Sequence, residues 1–168
     1  MKNLFILVLM VFSSVVFSQS ENDKVNRSAF QLEIAANETY QYSMDVPESP
    51  YFVHEKVLQL FCTETVFVEC EIEQDTISSM KVVAENLHPQ KTIVIRFTQN
   101  SEDRKKISSE LKVKNPFQKS LVYDAMMFTP NSQDWQSTSI IPIQPQLENY
   151  ELWPHAIVTL VLERWRFE

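Results

Sequence analysis

The chain has 168 residues, with 15 Lys and Arg against 22 Asp and Glu, a net charge of −7, and no glycine. Average usage would give about 12 glycines, so motifs that need glycine are excluded: the P-loop, the GxGxxG turn, the GxSxG nucleophile elbow and the EF-hand loop. The acidic balance argues against nucleic acid and anionic membrane surfaces as partners, because phosphate groups require basic surface.

The first segment, residues 1–18, is predicted to be a secretory signal peptide. Lys2 precedes an apolar run over residues 4–17 that is broken only by two serines, and the small residue Ser18 stands before a cleavage point at Gln19. The run is too short for a transmembrane span, which needs about 20 apolar residues. We therefore expect export to the periplasm or outside the cell, with no membrane span after signal cleavage. Residues 19–28 are expected to be a flexible lead-in, and residues 29–168 a single domain.

From residue 29 onward, apolar residues alternate with polar ones in short segments separated by turn residues. The predicted strands begin with a pair around Leu32 and Met44, continue around Leu60, Val68, Met80, Ile95, Val113, Tyr123 and Ile143, and end with residues 157–167. Pro142 and Pro145 predict an edge strand or a change of sheet at that point. About nine to ten short strands predict an all-β fold, a single antiparallel β-sandwich of immunoglobulin-like type.

One segment carries a resemblance to a known class of protein. The strand–turn–strand sequence LKVKNPF over residues 111–117, followed by LVY at 121–123, resembles immunoglobulin-like modules of secreted bacterial proteins. The leader ending in FSQ at residues 17–19 resembles those of flavobacteria-type bacteria. The resemblance implies a small secreted immunoglobulin-like protein but no particular activity or site, because such modules have many functions.

Two cysteines, Cys62 and Cys70, lie in the predicted exported region. An oxidising compartment and an even count favour a disulfide. A hairpin turn at residues 63–65 would pair Cys62 with Val66 and hold the two sulfur atoms too far apart for a bridge. A bridge requires a different turn or segments that lie on facing sheets, and two buried thiols are the alternative.

Three further groups are candidate sites. The histidines His54, His88 and His155 lack the short spacing typical of zinc ligands, so exposed loop positions are the simpler interpretation. Glu69, Glu71 and Glu73 project from one strand face and offer either a calcium or partner contact, or a solvated face paired with Lys112 and Lys114. Trp135, Trp153 and His155 lie beside polar and proline residues, where they would contact a ligand or pack against one end of the sandwich.

The sequence predicts a non-catalytic binding or assembly module that acts through sheet faces, end loops or a strand edge, with a protein or glycan as partner. The last strand, residues 157–167, is the candidate edge. Two alternatives stay open: an inhibitor of a basic lytic enzyme or protease, which an acidic exported protein would suit, and a hydrolase whose site is assembled in space. No catalytic, cofactor-binding or metal-binding residue is predicted.

Overall fold

A computed structural model gives the structure of the protein and describes residues 25–168; the predicted signal peptide lies outside these residues. Over the described residues the chain is all-β, with a 3-10 turn at Arg104–Lys106. The strands are β1 (Asn26–Arg27), β2 (Phe30–Ala35), β3 (Gln41–Val46), β4 (Ser49–Pro50), β5 (Phe52–His54), β6 (Val57–Phe61), β7 (Thr65–Glu73), β8 (Thr76–Val83), β9 (Thr92–Asn100), β10 (Ser108–Lys114), β11 (Leu121–Phe128), β12 (Gln136–Thr138), β13 (Glu148–Trp153) and β14 (Thr159–Phe167).

Two five-stranded antiparallel sheets form a β-sandwich, which confirms the predicted fold class. The first sheet has the order β13-β10-β9-β7-β8, and the second has the order β12-β11-β14-β6-β5. Two short two-stranded sheets, β2-β3 and β1-β4, accompany them. Alternate residues of the main sheets point inward and share one apolar core, as the period-two pattern predicts. The immunoglobulin-like strand order stays a prediction.

The connection between β6 and β7 crosses from one sheet to the other. Residues 62–64 form this crossover. The Cys62 N–H donates a hydrogen bond to the Val158 carbonyl, and the Thr63 N–H donates one to the Phe97 carbonyl. The hairpin that would pair Cys62 with Val66 is therefore absent, and the two cysteines belong to segments of facing sheets. Both are buried free thiols in the structure.

Arg27 anchors the start of the described chain. Its guanidinium forms a two-pronged ion pair with Glu64, with nitrogen–oxygen distances of 2.9 and 3.1 Å, and donates to the Gln59 carbonyl at 2.7 Å. The Tyr51 ring lies 4.6 Å from the guanidinium carbon, and Arg27 is only 2% exposed. Residues 26–27, which fall within the predicted flexible lead-in (residues 19–28), thus form strand β1, and the buried charge of Arg27 has the several partners that burial requires.

The last strand of the sandwich is central rather than an edge. β14 lies between β11 and β6 in the second sheet, with Leu162 opposite both Ala125 and Leu58. The prediction that residues 157–167 offer an edge to a partner is therefore wrong for Thr159–Leu162, which pair with both β11 and β6, whereas the residues after Leu162 pair with β11 alone in the described part of the chain. The available edges of the two main sheets are β13, β8, β12 and β5.

Turns in this glycine-free chain use other residues in the left-handed region. Six described residues have positive φ: Glu55, Thr63, Gln74, Asp75, Gln146 and Arg164. Gln74 and Asp75 together form the tight β7–β8 hairpin turn, which requires positive φ at two successive positions. Arg164 lies where β14 shifts register against β11. Each position stores strain that glycine would relieve.

Candidate functional site

The three glutamates predicted as a possible contact surface have different environments. Glu69 is buried on the outer face of β7 beside three basic side chains: Lys81 Nζ at 3.2 Å, Lys91 Nζ at 3.3 Å and His88 Nδ1 at 2.6 Å. The hydrogen bond from His88, followed by those from the two lysines, lowers the pKa of the Glu69 carboxyl to about 2 against the opposing effect of desolvation.

Glu71 is exposed and pairs with Lys91 at 2.7 Å, and Glu73 is exposed at the end of β7. The basic partners of Glu69 are on β8 and the β8–β9 loop, rather than Lys112 and Lys114. Lys112 instead pairs with Glu148 at 2.6 Å, and this bond raises the pKa of the Lys112 ammonium to about 12. Among residues 25–168, no group of three or more His, Cys, Asp or Glu side chains is arranged to hold a metal ion.

The two tryptophans differ in exposure. Trp153 is buried at the end of β13, and its indole N–H donates to the Thr138 hydroxyl at 3.0 Å. Trp135 is 41% exposed just before β12, with its ring centroid 5.7 Å from that of Phe128. Trp153 therefore packs between the edges of the two sheets, whereas Trp135 is available for contact.

The cysteines are poorly placed for chemistry. Burial is the main cause that raises the pKa of both the Cys62 and the Cys70 thiol to about 12. The thiolate, which is the nucleophilic form, is strongly disfavoured at such positions.

One side of the sandwich is formed by the edge strands β13 and β12 and the chain that joins them. Beyond β12, Ile143 forms an isolated bridge with Leu121 of β11, so this stretch continues the edge of the second sheet past Pro142. Side chains of β13 reach across: Glu151 accepts from the Ile141 N–H at 3.1 Å, and Asn149 donates to the Ile141 carbonyl at 3.4 Å. We call this surface, residues 138–153, the open side.

β13 itself is paired on one side only in the described part of the chain. The Leu147 carbonyl accepts from the Asn115 N–H at 2.9 Å immediately before the strand. Backbone groups alternate in direction along an antiparallel ladder. Those of Glu148, Tyr150 and Leu152 therefore point away from β10.

Exposed apolar side chains are concentrated on the open side. Ten large hydrophobic residues of the described chain are exposed, and four of them belong to it: Ile141, Leu147, Tyr150 and Leu152. Leu152 is 63% exposed and Tyr150 is 49% exposed on the outer face of β13. Sequence reasoning missed this strand because its apolar residues face solvent while Asn149 and Glu151 point inward. The available signal was the strict alternation in Asn-Tyr-Glu-Leu-Trp over residues 149–153.

A basic cleft of about 530 Å³ lies at one end of the sandwich. Its walls come from the β2–β3 turn, the 3-10 turn before β10 and the β13–β14 loop. His155, predicted as a contact residue, lines this cleft together with Arg104, Lys105 and Lys106. The sequence shows the basic run only as a charged loop; its position beside residues 36–38 and 154–156 depends on the fold.

No family model, curated protein or solved structure matches this chain. Within residues 25–168, none of the helical structure is long and apolar enough to span a membrane.

Proposed function

We propose that this protein is an exported, non-catalytic binding module that takes up an extended segment of a partner protein as an added strand along β13. The observation that carries the proposal is the coincidence of an unpaired strand edge with the main concentration of exposed apolar side chains. Large exposed apolar patches on soluble proteins mark interaction sites. The predicted signal peptide supports export.

The backbone of β13 favours an extended polypeptide as the occupant. Outward N–H and C=O groups at Glu148, Tyr150 and Leu152 would be satisfied by a second backbone running alongside them. Six residues of strand offer an edge about 20 Å long. Tyr150 and Leu152 lie on the same face, so they would contact alternate side chains of the added strand and provide its selectivity.

Charge favours a different protein over a second copy. β13 contains Glu148 and Glu151 and no basic residue, and the whole chain carries a net charge of −7. Two copies would each carry this net negative charge, and the repulsion between them disfavours self-association. A segment that carries lysine or arginine would be complementary.

The test is site-specific photocrosslinking of the full chain in its own host, with the crosslinker at position 152 and, in a second protein, at position 53. Val53 is also an exposed apolar residue but lies on β5, an edge of the second sheet away from β12. We expect a crosslinked partner from position 152 only, mapped to an extended segment of that partner. Crosslinks of equal yield at both positions would contradict a specific edge.

Two matched variants distinguish pairing along the strand edge from non-specific hydrophobic association. Leu152→Pro removes an outward N–H without removing a ladder bond to β10, so it should abolish partner binding with little change in melting temperature. Val53→Lys should leave binding intact. Retention of the partner by Leu152→Pro would overturn the proposal, as would a homodimer in sedimentation that Leu152→Pro dissociates.

A further inference from the structure

The basic cleft at the end of the sandwich is distinct from the open side. Three consecutive cations, Arg104, Lys105 and Lys106, form the 3-10 turn that lines it. In a chain with a net charge of −7, the side chains that line the cleft thus include more cations than carboxylates. Glu38 is the acidic residue among the lining side chains, and it lies 3.8 Å from Lys105.

Among residues 25–168, Arg104 and Lys106 have no carboxylate partner. Within the described part of the chain, the ion pair at the cleft is that between Lys105 and Glu38, and both side chains are more than 60% exposed. Arg104 donates to the Tyr40 carbonyl at 2.8 Å, a neutral acceptor that leaves its charge uncompensated. Many other cations of the protein, such as Arg27, Lys91 and Arg166, pair with carboxylates.

The walls of the cleft are held in place by hydrogen bonds. The Asp103 side chain accepts from the Lys105 N–H at 3.0 Å and fixes the start of the 3-10 turn. The buried Ser109 hydroxyl donates to the His155 carbonyl at 2.9 Å and accepts from the Ile157 N–H at 3.0 Å, which fixes the β13–β14 loop. These hydrogen bonds order the backbone of the walls, which reduces the entropy that is lost when a ligand binds.

We propose that this cleft binds a small organic oxyanion, a molecule that carries a carboxylate or phosphate group. The guanidinium of Arg104 and the ammonium of Lys106 would bind the anionic oxygens, since arginine matches carboxylate and phosphate geometry and lysine supplies a point charge. A volume of about 530 Å³ falls in the usual range for small-molecule sites. It leaves room for a body about the size of a sugar ring next to the charged group.

The experiment uses three probes that share one ring: glucuronate, glucose 6-phosphate and glucose. Each is titrated into the full chain, and backbone amide chemical shifts are followed by NMR at 150 mM salt. We expect saturable shifts in residues 36–38, 104–108 and 154–156 with one or both anions and none with glucose. Shifts with the carboxylate alone or the phosphate alone would identify which group the cleft accepts.

A pair of charge-matched variants tests the site. Lys106→Glu should weaken binding of the anion by roughly tenfold or more, while Lys119→Glu, which changes the net charge equally, should leave it unchanged. Lys119 is exposed and pairs with Asp75 at a distant hairpin turn. The inference is overturned if glucose shifts the same residues, if neither anion shifts them, or if the two variants weaken binding equally. None of these results depends on the β13 edge.

Discussion

The buried carboxylate of Glu69 should give the protein a characteristic loss of stability in acid. Its oxygens contact His88, Lys81 and Lys91, and through them the β8–β9 loop is held against the outer face of β7. Replacing Glu69 by glutamine keeps the shape of the side chain and removes its charge. The difference in unfolding free energy between the wild type and this variant therefore reports the stabilisation that depends on ionisation of Glu69.

The magnitude follows from the pKa of this carboxyl group, which is lowered from 4.5 to about 2. One pKa unit corresponds to about 1.4 kcal/mol, so the full shift would contribute at most about 3 kcal/mol. His88 and Lys81 are each more than half exposed, and solvent screening at exposed partners reduces this to about 1–2 kcal/mol. Because the folded-state pKa is lowered, the contribution is present above pH 4.5 and is lost as the pH falls toward 2.

Urea unfolding of the wild type and Glu69→Gln at pH 5, 4, 3 and 2 measures this effect. We expect the wild type to be more stable by about 1–2 kcal/mol at pH 5 and the difference to vanish near pH 2. Glu73→Gln is the matched control on the same strand, where the side chain is exposed, and it should change little at any pH. A Glu69→Gln difference that stays constant from pH 5 to pH 2 would refute the electrostatic explanation.

Three further predictions concern stability and reactivity. Thr63→Gly should raise the free energy of unfolding by about 1 kcal/mol, since a β-branched residue at φ 86° is strained; a lower value in urea unfolding would contradict this. Arg27→Ala should lower it by about 3–5 kcal/mol because Glu64 loses its buried partner, whereas Arg27→Met combined with Glu64→Leu should recover part of the loss; equal losses would argue against the ion pair. Cys62 and Cys70 should resist iodoacetamide at pH 8 until urea unfolds the protein, because burial raises the pKa of both thiols to about 12; mass spectrometry that finds labelled native protein would show otherwise.

Strands with an apolar inner face could be predicted from the sequence. β9 and β11 alternate as a two-layer core requires, with Ile93, Ile95 and Phe97 inward on β9. β13 also alternates, but its inner face is polar: Asn149 and Glu151 bond to Ile141 between the sheets while Tyr150 and Leu152 face outward, so a search for an apolar inner face does not find it. Which face of a strand is apolar depends on the contacts of its side chains, and those contacts come from segments that are distant in sequence.

The order of the strands in each sheet could not be predicted from the alternation of apolar and polar residues either. Alternation places Val66 and Leu60 in a core, but it does not say whether their strands pair or face each other. The crossover at residues 62–64 is fixed by Arg27 and Glu64, whose charges are 37 positions apart. The basic cleft also depends on contacts between distant segments, because residues 36–38, 104–108 and 154–156 meet at one end of the sandwich.

The central position of β14 has a consequence for the order of folding during synthesis. β11 and β6 flank this strand and do not pair with each other, so the second sheet cannot close before residues 159–167 have left the ribosome. Until then, β6 and β11 lack the strand that lies between them in the complete sheet. A protein that must cross a membrane before it folds, as the predicted signal peptide would require, benefits from such a delay. β14 then joins β6 to β11 and closes the second sheet.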